Sequence, residues 1–153
     1  MKIVSGGQTG VDRAALDAAI ECNINAGGWC PDGRKAEDRR IADHYPLTEL
    51  PNAGYRKRTL KNVKDSDGTV IIYFSELSGG TKLTIDFCIK EKKPYVLIDA
   101  NRLSETQAAQ EIIEFIAEFK IQTLNVAGPR ASNQELAYPY TKAVISNTLK
   151  KTQ

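Results

Sequence analysis

The residues best equipped for chemistry in this chain are glycines gathered in three clusters. Gly6-Gly7-Gln8-Thr9-Gly10 follows a strand-like run from Lys2 to Ser5, and Ser78-Gly79-Gly80-Thr81 follows Thr69 to Phe74. Gly128-Pro129-Arg130 closes the run that begins at Thr123. Glycine accepts positive φ and lets another group approach the main chain closely. A helix starting just beyond adds unpaired N–H groups and a partial positive charge, which suits phosphate or another oxyanion. Any one cluster is accounted for as a tight connection. Three of them at one edge of a sheet point to a ligand crevice, because open α/β sheets bind ligands beyond the carboxyl ends of their strands.

Two arginines stand beside these turns. Arg13 falls in the first turn of a helical pattern, where a cation opposes the helix dipole. It has two available partners: Asp17, one turn on, or an anion held at the glycine turn. Arg130 lies in the turn before Ser132 and Glu135, whose spacing matches a capping box, and its planar fork suits phosphate or carboxylate. Thr9 and Asp12 also have capping-box spacing, so Asp12 reads equally as a cap or as a carboxylate at the crevice. Carboxylates that could activate water are Asp12, Glu37 and Asp86.

Two nucleotide motifs can be tested directly. The phosphate-loop pattern GxxxxGK[ST] is absent, and GxGxxG appears only in degraded form at Ser5, Gly7 and Gly10. Asp32 stands near the distance expected of an acidic ribose partner, but inside a Pro-Gly turn, so NAD binding is a weak reading. Between the first and second clusters runs the irregular stretch GGWCPDGRKAEDRRIADHYPLTE. It carries the only tryptophan, Trp29, able to stack on a planar ring, together with Arg34, Glu37 and Asp38, which could reach a cleft. A solvated charged loop is the alternative. Its aromatic residues and two prolines favour order.

The positioning elements follow from periodicity. Strand-like Lys2–Ser5, Asn25–Trp29, Thr69–Phe74, Tyr95–Asp99 and Thr123–Gly128 alternate with helical patterns at Val11–Cys22, Tyr55–Lys64, Thr81–Lys92, Glu105–Lys120 and Gln134–Lys150. Apolar strands alternating with amphipathic helices predict one α/β domain with a mostly parallel sheet of about five strands, helices on both faces and right-handed crossovers. Tyr55–Lys64 is basic and reads either as a solvated face or as a polyanion contact, with no DNA-reading or aromatic-interleaved motif to support nucleic-acid binding.

Composition narrows the classes. The 153 residues carry a net charge of +2 and three scattered cysteines, Cys22, Cys30 and Cys88. No CxxC pair occurs and His44 is the only histidine, which argues against the usual zinc sites and against most triad chemistry. Without a run of eighteen apolar residues or a leader-like N-terminus, the expected setting is soluble and cytoplasmic, with no membrane contact.

Taken together, SGGQTGVDRAALDAA, GGWCPDGRKAED, YPLTE, RTLKNVKDSDGT and SGGT resemble the bacterial molybdenum-carrier-like proteins, a circularly permuted branch of the SLOG, lysine-decarboxylase-like superfamily. The resemblance implies a three-layer Rossmann-like fold, a homo-oligomer, and an anionic phosphorylated ligand near the glycine turns, either molybdenum cofactor as cargo or a nucleotide. Relatives in the superfamily include phosphoribohydrolases with a Pro-Gly-Gly-x-Gly-Thr turn followed by glutamates. This chain has Ser78-Gly79-Gly80-Thr81, lacks that Pro and the later Gly, and offers Asp86 as the nearest carboxylate in the following helix.

Overall fold

The computed structural model describes residues 1–153. In chain order the elements are β1 (Lys2–Val4), α1 (Val11–Glu21), β2 (Asn25–Gly27), β3 (Trp29–Pro31), a 3-10 turn (Asp32–Arg34), β4 (Lys35–Ala36), β5 (Arg39–Arg40) and β6 (Thr48–Leu50). Then come α2 (Tyr55–Lys64), β7 (Gly68–Tyr73), α3 (Gly79–Lys90), β8 (Tyr95–Asp99), α4 (Glu105–Phe119), β9 (Thr123–Ala127) and α5 (Ala137–Thr152). Five strands form the main sheet in the order β2-β1-β9-β7-β8, and every pairing in it is parallel. The α/β expectation holds.

Side chains alternate across the sheet, so each strand feeds both faces. Val70 and Ile72 of β7 point into the larger core with Ile3, Leu124, Val126 and Ile98, and α1, α4 and α5 cover that face. Alanines 15, 18 and 19 of α1 are fully buried there, and their small side chains let α5 come close. On the opposite face α2 packs against α3 through Val63, Phe87 and Cys88. Between those two helices the sheet stays open at its carboxyl edge, where Ile71 and Asn125 form the floor of a cleft.

The irregular stretch is ordered and built on one buried cation. Arg34 donates to the carbonyls of Ile41 (3.1 Å), Ala42 (2.7 Å), Tyr45 (2.9 Å) and Leu47 (3.2 Å). Around it Cys30, Ala36, Ile41, Tyr45 and Leu47 form a small core with Leu16 of α1. Arg34 thus directs four of its five N–H donors at its own loop and is not among the residues lining the cleft.

Several boundaries differ from expectation. The strand predicted over Asn25–Trp29 splits at Gly28, whose φ of +124° turns the chain out of the main sheet. Helix α3 starts at Gly79, because the Ser78 hydroxyl accepts the Thr81 N–H. Helix α5 starts at Ala137, with no side-chain cap. The Ser132–Glu135 box does not form, because the Ser132 hydroxyl donates to Glu37 instead.

Arg34→Lys should destabilise the fold by about 2–4 kcal/mol, because an ammonium cannot serve four divergent carbonyls and hydrogen bonds to charged groups are each worth about 1.5–3 kcal/mol. Chemical denaturation of the two proteins at neutral pH measures it.

Candidate functional site

All three glycine turns reach the carboxyl edge of the sheet, where β9 lies between β1 and β7. The β1–α1 turn stacks directly on the β9–α5 loop: Val11 N–H donates to the Pro129 carbonyl (3.2 Å), and Ala131 N–H donates to the Thr9 hydroxyl (3.1 Å). Gly10 has φ +80°, and a Cβ there would stand 2.5 Å from the Pro129 carbonyl oxygen. Gly128 is equally hemmed in, by Val11 and the Ile72 carbonyl, and Gly7 by Leu47 and Ile41. These three glycines are fold requirements. Gly79 and Gly80 are not, because a Cβ on either would meet nothing within 4 Å. They form the first turn of α3, where N–H groups lack intrahelical acceptors, and both line the cleft.

The cleft encloses about 440 Å³, the size class of small-molecule sites. Its charged lining is Arg56, Arg58, Arg130 and a single carboxylate, Asp12. Arg58 and Arg130 both lie against the Tyr55 ring, 5.6 and 5.5 Å from its centre. Three guanidinium groups against one acid make the cleft cationic, a setting for an anionic ligand.

Asp12 is buried. Its carboxylate accepts the Gln8 N–H (3.2 Å) and one nitrogen of Arg58 (3.3 Å). Burial pushes the Asp12 carboxyl up, and the Arg58 charge and the Gln8 N–H only partly oppose it. The expected Thr9–Asp12 capping box is absent: Gly10 is the cap residue, with no side-chain cap bond. Glu37 and Asp86, the other two carboxylates able to activate water, are not at the cleft. Asp86 is exposed on α3.

Arg13 does not pair with Asp17, and it is not among the residues lining the cleft. It donates to the Gly7 carbonyl (2.9 and 3.1 Å) and pairs with Asp38 at 2.8 Å, while Asp17 accepts the hydroxyls of Tyr45 and Tyr138. Glu37 accepts from the Thr9 and Ser132 hydroxyls and from the Ser132 N–H. Both acids thus fasten the irregular stretch to the glycine turns. Trp29 is also outside the cleft: its indole N–H donates to Asp65 (2.8 Å) and Lys61 lies over the ring. Asp32 accepts the Asn52 N–H in the loop.

A family model for the circularly permutated YpsA SLOG family matches residues 3–149. The chain belongs to that family. Its structure is similar to the crystal structure of a protein named "Putative molybdenum carrier protein" from Syntrophus aciditrophicus SB, with a TM-score of 0.94 and 49% sequence identity over 97% of this chain and 94% of that one. No curated protein matches the chain. No helix is long and apolar enough to cross a membrane.

What sequence reasoning missed in this family member is the contribution of α2. Tyr55, Arg58, Thr59 and Asn62 recur at i, i+3, i+4 and i+7, which puts them on one helix face, and that face is a wall of the cleft. The i, i+3, i+4, i+7 spacing is the local signal for this face, but the surrounding basic run gives the same sequence the look of a solvated or polyanion-binding helix.

The two clasping acids predict an acid limit. Hydrogen bonding and charge from Arg13 lower the pKa of Asp38 below its ordinary 3.8. For Glu37, slight burial acts upward, but the Ser132 and Thr9 hydrogen bonds outweigh it and lower the pKa below 4.5. Such groups stabilise the fold above their unfolded values and lose that contribution as pH falls through the folded ones. Asp12, with its raised pKa, acts in the opposite sense. The Glu37→Gln/Asp38→Asn double variant should therefore show a smaller Tm decline than the parent between about pH 5 and pH 2, measured by thermal melts across that range.

Proposed function

We propose that this protein binds and carries a small phosphorylated ring compound, a nucleotide or a phosphorylated pterin such as molybdenum cofactor, in the cleft between α2 and α3. One observation carries the reading. Three arginines converge on a cleft that also receives the first turn of α3, and that turn is made of two glycines the fold itself does not require. An oxyanion fits there, held by main-chain N–H groups and Arg130. The similarity to a protein named "Putative molybdenum carrier protein" supports a molybdenum-related cargo. The cleft supplies no thiolate, since Cys22, Cys30 and Cys88 are not among its lining residues. Molybdenum would be carried through the organic part of the cofactor, gripped by its phosphate.

A second reading keeps the cleft and adds hydrolysis of the N-glycosidic bond of a nucleoside monophosphate. The observation favouring it is Asp12, the one carboxylate in the cleft, with a carboxyl that burial biases toward holding a proton. Ribose 5-phosphate released from a nucleotide, and lost in Asp12→Asn, would support it. Its absence from every nucleotide tried would end it.

Thermal unfolding against nucleoside mono- and diphosphates, NAD, molybdate and isolated molybdenum cofactor tests binding. A ligand at a hundred times its Kd should raise Tm by roughly 5–11 °C. Gly7 is a poor probe, because its φ of +76° and close neighbours make any side chain a folding defect. Gly80→Ala separates the two effects. It should leave Tm unchanged or raise it by about 1–4 °C, since alanine suits a helix better than glycine. The same change should weaken ligand binding by about tenfold or more, as should Arg130→Ala. If no phosphorylated compound shifts Tm, the binding reading fails.

A further inference from the structure

Three buried side-chain polar atoms have no hydrogen-bond partner: Gln8 Nε2, Arg58 Nε and Thr141 Oγ1. Thr141 sits in the α5 core, but Gln8 and Arg58 both line the cleft. Two unused donors in the lining of one cleft call for an acceptor that the chain does not supply, because buried donors are rarely left unpaired.

The orientation of Gln8 is settled by its neighbours. Its Oε1 accepts the N–H groups of Thr9 (3.0 Å) and Glu37 (2.9 Å), so Nε2 is the end left over, and Nε2 can only donate. Gln8 is 6% exposed. The Arg58 guanidinium rests on the same turn: a Cβ built on Gly6 would stand 1.9 Å from its Nη1. Its one hydrogen bond is the 3.3 Å contact to Asp12, and the Tyr55 ring lies against it. Both free nitrogens are closed to solvent, so a ligand atom reaches them only when a side chain shifts, and the Arg58 tip is the one lying over the turn.

The place of these donors differs from that of the α3 turn. Gln8 follows β1 and Gly79-Gly80 follow β7, with β9 between. The strands they follow are two interstrand spacings apart, roughly 10 Å. A lone oxyanion cannot occupy both.

Resting on the binding reading above, we propose that Gln8 Nε2, with Arg58 Nε, recognises a carbonyl or ring-nitrogen acceptor on the far end of a phosphate-bearing ligand anchored at the α3 turn. The ligand class is then an elongated phosphomonoester with a hydrogen-bonding heterocycle, and bare oxyanions such as molybdate fill only one end. Arg58 swings off Gly6 to admit the heterocycle and keeps its charge toward the ligand.

Gln8→Glu removes the donor while a carboxylate oxygen still accepts the Thr9 and Glu37 N–H groups, and inorganic phosphate reads out the added negative charge separately. Calorimetric titration of the full chain would use inorganic phosphate, ribose 5-phosphate and the 5′-monophosphates of adenosine, guanosine, inosine and uridine. Phosphate and ribose 5-phosphate should bind parent and variant within about threefold of each other, while at least one nucleotide binds the parent about tenfold tighter than ribose 5-phosphate and loses that gain in Gln8→Glu. Arg58→Lys keeps the charge and deletes Nε, and should lose the same gain. Circular dichroism of both variants confirms that they fold. The proposal is overturned if no nucleotide exceeds ribose 5-phosphate, if both variants keep the gain, or if Gln8→Glu weakens inorganic phosphate equally. If none of the phosphate-bearing probes binds the parent, the binding reading itself falls, and this one with it.

Discussion

A strand made late in the chain has to lie between two made earlier, and the cleft inherits its geometry from that constraint. β9 pairs in parallel with β1 on one side and β7 on the other. Crossovers therefore leave the centre in opposite directions: α1 leads outward to β2 and α3 outward to β8. At such a reversal, adjacent loops diverge and leave a crevice at the carboxyl edge. The floor of that crevice is the sheet itself, with Asn125 of β9 donating to Thr69 of β7 (3.3 Å).

Holding the walls is the work of the irregular stretch after β2. Three of its charged residues, Arg34, Glu37 and Asp38, contact main chain, turns and α1, and none of the three lines the cleft. Arg34 gathers four carbonyls, Arg13 grips Gly7 while pairing with Asp38, and Glu37 joins Thr9 to Ser132. The Gln8 amide ties the same turn to the Glu37 N–H. The glycine turn after β1 is thus fixed from outside the cleft as well as from β9. Rigid presentation of donors is what allows a small site to discriminate among ligands of similar charge.

Much of the fold was legible because it is written in periodicity. Ile71 and Ile72 sit in an unbroken apolar run, and α4 repeats its apolar positions at helical spacing, so β7 and α4 fell where expected. Strand order was not legible, since the pairing of β9 with β1 and β7 is a contact between distant segments with no local signature. At the site, the glycine turns were found because strand-to-helix connections with glycine are a local pattern. Arg13, Trp29, Arg34 and Glu37 have chemistry that suits a ligand, yet none of them lines the cleft. The partners they contact, Asp38, Asp65, backbone carbonyls and Ser132, lie across loops whose packing no spacing rule reveals. Arg58 was hidden for the converse reason, as one basic residue among several in a helix that looks solvated.

The central position of β9 also bears on how the protein is made. A ribosome releases β1, β2, β7 and β8 before the strand that joins them, so neither parallel pair has its inner neighbour while the chain is still emerging. Until β9 arrives, β1 and β7 each present an unpaired inner edge, the kind of edge that invites association with other chains. Local helices can form during translation, but the sheet closes only when its last strand is available. Completion of the cleft therefore coincides with completion of the sheet, and a nascent chain stalled before Thr123 would have neither.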